Sequence, residues 1–262
     1  MINQFDLLKM PWNVLIILDA CRYDSFHTVV PSAQAVYNDG CGETVAWVNK
    51  FLINKPYKPP TFYVTWNPVC YTIVQNSEKD TGLILKQHPK NSAQGAPFGR
   101  ADALNDFIKS WLTKNGQPES MVLHYMQPHD PYIGEDLKGY IPHGIHRNDK
   151  TVMPKFPSFD DIKARYNHSV RFALKHVFAM IQHLKGKIII TSDHGELFGE
   201  YNQKNSNIPI YGHYAEWLYP EITTVPWFEL NLGKYEPTVL NEESDYVENK
   251  QLQERLKNLG YM

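Results

Sequence analysis

Lys187-Ile-Ile-Ile-Thr-Ser-Asp193-His194-Gly195-Glu196 is the stretch on which the reading of this chain turns. A short, β-branched apolar run bounded by polar residues reads as a strand covered on both faces, the signature of a parallel sheet. Asn13-Val-Leu-Ile-Ile-Leu-Asp19 repeats the design, again ending in an acid. Thr61–Trp66 and Met121–Met126 are further strand candidates, and each runs into a proline segment, Asn67-Pro68 and Gln127-Pro128. Between the runs the period changes to that of a helix. Ile162, Tyr166, Val170, Ala173, Val177, Ile181 and Leu184 recur at steps of three and four from Asp160 to Leu184. Ser158 with Asp161 resembles a capping box at its start. Arg100–Lys114, Thr44–Ile53 and Asn249–Leu259 are expected to be shorter helices. Alternating strands and helices predict an α/β fold with a mostly parallel central sheet and helices on both faces. No break in composition divides the 262 residues, so residues 1–262 are read as a single domain. The stretch Ile133–Pro157, rich in Gly, Pro, His and Lys, is expected to be a functional loop or lid.

Composition narrows the function. Lys plus Arg number 26 against 28 Asp plus Glu, so the chain lacks the electrostatic footprint of a nucleic-acid binder. No apolar run approaches the roughly 18 residues of a membrane span. The start, MINQFDLLKMPW, carries no signal-peptide h-region. Three cysteines, Cys21, Cys41 and Cys70, do not suggest a disulfide framework. The expectation is a cytoplasmic protein.

Histidine is unevenly placed: nine of the 11 lie between His124 and His213. His168, His176 and His183 fall on the long helix and are expected at its surface or boundary. Asp193 and His194 stand at the carboxyl end of a buried strand, where open α/β sheets bind ligands. Carboxylate oxygen and imidazole nitrogen at such a point can share one cation, and Gly195 lets the chain turn away. Asp19 ends the matching strand, and two strand-end acids in one sheet can converge on the same ion. A lone strand-end Asp is more often a cap or turn residue; the pair with His194 points to metal. His213, in Tyr211-Gly-His-Tyr, and His129, in Gln127-Pro-His-Asp-Pro-Tyr132, sit in Gly- or Pro-marked loops rather than on apolar faces.

Taken together, VLIILDACRYD, CGETVAW, PHDPY and TSDHGELFGE followed by YGHYAEW resemble the alkaline phosphatase/sulfatase superfamily, in the same order along the chain. That resemblance implies a metal-dependent hydrolase of phosphate or sulfate esters with a metal-activated threonine nucleophile. It implies Asp19, Thr44, Asp193, His194 and His213 as metal ligands, with Thr44 and His129 catalytic. His129, Asp130 and Arg22 would contact substrate. The cofactor would be a divalent metal (Zn, Mn, Mg or Ca), one ion or two. The substrate would be a small-molecule, glycan or lipid-headgroup ester. Thr44 can equally be a plain N-cap, Arg22 can equally form a surface ion pair, and Cys41 is the rival nucleophile. The formylglycine signatures C-x-P-S-R and C-x-A-x-R are absent at Cys21 and Cys41, and Ala20 stands where sulfatases carry a second acid. The pattern therefore looks more like phosphatases, phosphodiesterases and phosphoethanolamine or glycerol-phosphate transferases. A transferase, or a sulfatase-like domain that binds without turnover, is the alternative reading.

Overall fold

The two apolar runs that end in an acid are direct neighbours in one sheet. The computed structural model describes residues 1–87, 99–133, 139–140, 158–202, 204, 207 and 209–235. Its elements are α1 (Gln4–Leu8), β1 (Val14–Leu18), α2 (Tyr23–Val29), β2 (Gln34–Tyr37), α3 (Thr44–Asn54), β3 (Thr61–Thr65), α4 (Pro68–Thr81), β4 (Leu83–Gln87), α5 (Ala101–Asn115), β5 (Met121–Tyr125), β6 (Tyr132–Ile133), β7 (Gly139–Tyr140), α6 (Phe159–Ile181), β8 (Lys187–Ser192), β9 (Leu197–Asn202), β10 (Pro209–Gly212), α7 (Pro220–Thr223) and β11 (Thr224–Asn231).

Seven strands form the central sheet in the order β2-β11-β8-β1-β5-β3-β4. β1 pairs in parallel with β8 on one side and β5 on the other, with Leu18 opposite Ser192 and Tyr125. β3 extends the sheet in parallel between β5 and β4. Only β11 runs against its neighbours, β8 and β2. The register brings the carboxyl ends of β1, β5 and β8 level, so Asp19 and Asp193 emerge side by side.

Strand alternation divides the core in two. Val14, Ile16 and Leu18 face α2, α5 and α6 through Phe26, Leu104, Ile108, Val170, Ala173 and Val177. Leu15 and Ile17 face α1, α3 and α4 through Phe5, Leu8, Trp47, Phe51, Cys70 and Val74. Helices thus cover both faces, and β1 is fully buried because it is central in both directions. The long helix starts as the sequence indicates: Ser158 Oγ accepts the Asp161 N–H at 3.1 Å and donates to its carboxylate at 2.7 Å.

Of the stretch Ile133–Pro157, Ile133 and Gly139–Tyr140 are described, and β6 and β7 make a small antiparallel pair. The rest of that stretch and the helix expected over Asn249–Leu259 lie outside the described residues. Among the described residues no helix is long and apolar enough to cross a membrane.

Candidate metal centre and nucleophile

Three loop connections converge over the ends of β1 and β8. Past Asp19 the backbone turns through Ala20, a non-glycine residue at φ 57°. The left-handed region costs such a residue about 1–2 kcal/mol. Neighbours hold the turn: Ala20 N–H donates to Asp193 Oδ1 at 3.1 Å, Cys21 N–H donates to Ser192 Oγ at 2.8 Å, and Tyr166 O–H donates to the Ala20 carbonyl at 2.6 Å. Tyr166 also accepts the Arg22 N–H at 2.8 Å, so the long helix clamps the strand end.

The CGET loop is tied to the same point. Asn38 Nδ2 donates to the carbonyls of Cys41 (2.6 Å) and Asp193 (2.7 Å). Gly42 packs so closely that a Cβ there would lie 2.1 Å from the Tyr214 carbonyl oxygen, and a Cβ on Gly195 would lie 1.9 Å from that of Glu221. Both glycines are therefore required by close main-chain approach, and residues 214–221 bear on both loops.

Glu43 is the N-cap of α3 and makes no side-chain cap bond, while Thr44 is the first helical residue. The Thr44 hydroxyl is thus not a cap. It donates to Asp193 Oδ2 at 2.8 Å and lies 3.2 Å from His194 Nε2 and 3.4 Å from Asp19 Oδ1. Asp19, Asp193 and His194 have no solvent exposure. Cys41, the rival nucleophile, is buried, and burial pushes its thiol up to about 12. Its thiolate is disfavoured at neutral pH.

The histidines are oriented by what their Nδ1 atoms meet. His194 Nδ1 lies 2.8 Å from the Gly195 carbonyl, His129 Nδ1 lies 2.7 Å from the Asp130 carbonyl, and His213 Nδ1 lies 3.0 Å from Glu196 Oε1. These partners only accept, so each Nδ1 carries the proton and donates. The Nε2 of His194 then presents its lone pair to Thr44 and the two carboxylates. His213 packs against His194 at 4.2 Å and against His129 at 5.1 Å between ring centroids, so the three imidazoles form one wall. Asp130 holds His129 through Oδ1 at 2.8 Å. His129 also joins the strand end directly, its N–H donating to the Asp19 carbonyl at 3.0 Å.

Arg22 is held by its neighbours. Its guanidinium donates from Nε and Nη2 to Asp24 (2.9 and 3.0 Å), and from Nη1 to the Glu196 carbonyl (3.1 Å) and to Glu200. It also stacks on Phe198. Through these partners it braces the loop after His194. The ion-pair alternative describes it, though the pair is largely buried on the Arg22 side.

Two residues not singled out from the sequence belong to the centre. Asn67, the N-cap of α4, accepts the N–H groups of Val69 and Cys70 and donates to Asp19 Oδ2 at 2.5 Å. His124, on β5, is fully buried with Nε2 at 4.0 Å from Asp19 Oδ2 and 3.8 Å from Asp193 Oδ2. That Nε2 has no hydrogen-bond partner.

The donor set fits a divalent cation. A tetrahedral ion with ligands at about 2.0–2.1 Å holds them about 3.3 Å apart. His194 Nε2 lies 3.6 Å from Asp19 Oδ1 and 3.4 Å from Asp193 Oδ2, too far for good hydrogen bonds and right for a shared ion. Two buried carboxylates side by side also need a positive charge. Burial and the charge of Asp193 push Asp19 up to about 7, while burial pushes His124 down to about 4, the neutral form that metals require. Asp19, His124 and Asp193 together form a buried group able to hold such an ion.

A separate groove of about 850 Å³ lies at the opposite, amino ends of the strands, lined by Lys9, Trp12, Lys55, Tyr57, Lys58 and Lys187. Its four lysines all have partners: Lys9 with Asp6, Lys55 with the Asp80 carbonyl, Lys58 with Glu119 and Lys187 with Glu229.

Solved structures share the fold at low identity. The soluble domain of lipooligosaccharide phosphoethanolamine transferase A from Neisseria meningitidis matches with TM-score 0.54 at 13% identity, over 82% of this chain and 75% of that one. The periplasmic domain of phosphoethanolamine transferase EptC from Campylobacter jejuni matches with TM-score 0.50 at 15% identity, over 83% and 78%. The lipoteichoic acid synthase LtaP from Listeria monocytogenes matches with TM-score 0.50 at 13% identity, over 86% and 66%. Among curated proteins none matches this sequence. The family model described as Sulfatase matches residues 17–249, from within β1 onward. The chain belongs to the sulfatase family, within the alkaline phosphatase/sulfatase superfamily.

Proposed function

We propose that this protein is a metal-dependent hydrolase of phosphate or sulfate esters in which Thr44 is the nucleophile. One observation carries the reading: the Thr44 hydroxyl, at the first turn of an eleven-residue helix, points away from the helix end and into the acid–histidine cluster. An N-terminal turn also offers backbone N–H groups and a positive dipole end to the oxygens of a tetrahedral anion.

Asp19, Asp193 and His194, with His213 as a further ligand on the resemblance, would hold a divalent cation, which would lower the pKa of a hydroxyl and offset charge on the ester oxygens. The chain's own residues do the rest. Asn67 and Ala20 N–H hold the two carboxylates in place. Thr44 Oγ, its proton given up to solvent, attacks phosphorus or sulfur. The bond to the leaving oxygen breaks, and His129 supplies the proton that oxygen needs. Although burial alone would lower it, the charges of Asp19 and Asp130 and the Asp130 hydrogen bond hold His129 well above the ordinary histidine range, so it is protonated before turnover. Water then attacks the same atom, the bond to Thr44 Oγ breaks, His129 takes up the proton that water loses, and Thr44 Oγ regains a proton from solvent.

A transferase is the second reading, favoured by the names of three fold neighbours, two phosphoethanolamine transferases and a lipoteichoic acid synthase. There an acceptor hydroxyl replaces water in the second half-reaction.

The test compares p-nitrophenyl phosphate, a p-nitrophenyl phosphodiester and p-nitrophenyl sulfate with Zn, Mn, Mg or Ca, for the wild type and Thr44→Ala. Turnover of one ester that needs both metal and Thr44 supports the hydrolase. Turnover that rises when a diol or ethanolamine acceptor is added favours the transferase. Equal turnover by folded Thr44→Ala overturns the assignment of the nucleophile.

A further inference from the structure

Among the described residues, His124 is the one fully buried histidine that the proposed chemistry leaves unused. It enters from the floor of the site, on β5, whereas the ligands named above arrive on loops past the strand ends. The ring is fixed on both sides. Trp47 meets it edge-on at 6.4 Å between centroids, and its Nδ1 lies 2.8 Å from the Tyr63 hydroxyl, itself 3.0 Å from Cys70 Sγ. Tyr63 and Cys70 are fully buried too.

This arrangement accommodates the tautomer that a metal ligand needs. Were Nε2 protonated, it would be a buried donor facing two carboxylates at 3.8 and 4.0 Å and bonding to neither. With the proton on Nδ1 the chain closes: Nδ1–H donates to Tyr63 Oη and Tyr63 O–H donates to Cys70 Sγ. The Nε2 lone pair is then aimed at Asp19 Oδ2 and Asp193 Oδ2, on the side of Asp19 away from Thr44.

We propose that His124 is a further ligand of the metal centre through Nε2, that Tyr63 is the positioning residue that fixes its tautomer, and that this added imidazole makes the centre prefer zinc to magnesium or calcium. The inference rests on the metal-centre reading above. Its chemical basis is the donor count: imidazole suits zinc, while magnesium and calcium favour all-oxygen sites. Outer partners of ligating histidines are worth about 10- to 100-fold in metal affinity.

The experiment is equilibrium dialysis of the full chain against zinc and magnesium, with metal content measured directly, for the wild type, His124→Gln, Tyr63→Phe and Asp193→Asn. Circular dichroism checks the fold of each. Zinc affinity is expected to fall about 100-fold or more in His124→Gln and about 10-fold in Tyr63→Phe, with magnesium affinity changed far less. Zinc bound as tightly by folded His124→Gln as by the wild type, while Asp193→Asn has lost it, overturns the His124 assignment and leaves the metal centre standing. Zinc retained by Asp193→Asn, or not bound by the wild type, overturns both. If His124→Gln does not fold, imidazole ¹⁵N spectra of the wild type decide. Zinc is expected to move the Nε2 resonance of His124 together with that of His194, and an unmoved His124 resonance refutes the proposal.

Discussion

Replacing Asp19 by asparagine, and measuring stability with the metal removed, separates what this carboxylate does for binding from what it costs the fold. Burial and the charge of Asp193 push Asp19 up to about 7 in the native protein, from an ordinary 3.8. The unfolded chain has the ordinary value. Between about pH 4 and 7 the native state therefore holds a proton that the unfolded state has released. Through Asp19 alone, the metal-free wild type loses stability as pH rises through that window, and this contribution is constant above it. About three pH units at about 1.4 kcal/mol each set a ceiling of about 4 kcal/mol. The amide of the Asp19→Asn variant would carry no charge, and its carbonyl oxygen can still accept the hydrogen bond that Asn67 now gives to Asp19. In EDTA at pH 8, Asp19→Asn should be more stable than the wild type by up to about 4 kcal/mol, or about 10 °C in Tm. At pH 4.5 the two should nearly coincide. Urea unfolding at pH 4.5, 6 and 8, with unchanged m, reads this directly. Saturating zinc should reverse the order, because the wild type gains ligand-linked stability and the variant lacks a ligand. A variant no more stable than the wild type at pH 8 in chelator would refute the reasoning.

Three other substitutions probe the supports of the site. Tyr166→Phe strands the Arg22 N–H and the Ala20 carbonyl in the interior and should cost about 3 kcal/mol in urea unfolding; a loss under about 1 kcal/mol would show that the turn does not depend on it. Gly195→Ala drives a methyl into the Glu221 carbonyl, which is main chain and has no rotamer to yield, so about 3 kcal/mol of stability should go together with zinc affinity, read by thermal melts and dialysis. Cys41→Ser should keep ester turnover, since burial keeps the thiol protonated; abolished turnover in a folded protein would return Cys41 to the role given to Thr44.

The strands that frame the site are legible because they are central. β1, β5 and β8 are apolar on both faces, and that pattern has few other solutions in a chain of this composition. Thr44 stands out through the onset of an apolar helix, and the structure then removes its alternative as a cap. What escapes the sequence does so for physical reasons. Pro68 reads as the end of β3, yet a proline after Asn is also the first turn of a helix, and α4 begins there. β11 contains Pro226, which a strand reading disfavours; it lies opposite Ala35 of β2, and its carbonyl accepts the Thr191 hydroxyl. His124 is hidden inside a strand run. The usable signal is a titratable side chain at the fourth of five buried positions, a place where only a partnered group is tolerated. The Arg22–Glu200 pair is likewise hidden, because its two members lie far apart along the chain.

The close approach at Gly42 and Gly195 has a consequence for how such a protein can diversify. There, residues 214–221 meet the loop before Thr44 and the loop after His194 as bare backbone on bare backbone. The spacing between nucleophile and acid–histidine pair is thereby gauged by the thickness of a peptide chain, a dimension no amino-acid exchange can alter. Variation in this strip is confined to side chains such as Glu216 and Leu218, which stand exposed. A lineage adapting to new esters can rewrite those without disturbing the gap, so the tolerance to substitution lies within a few residues of the parts that tolerate none.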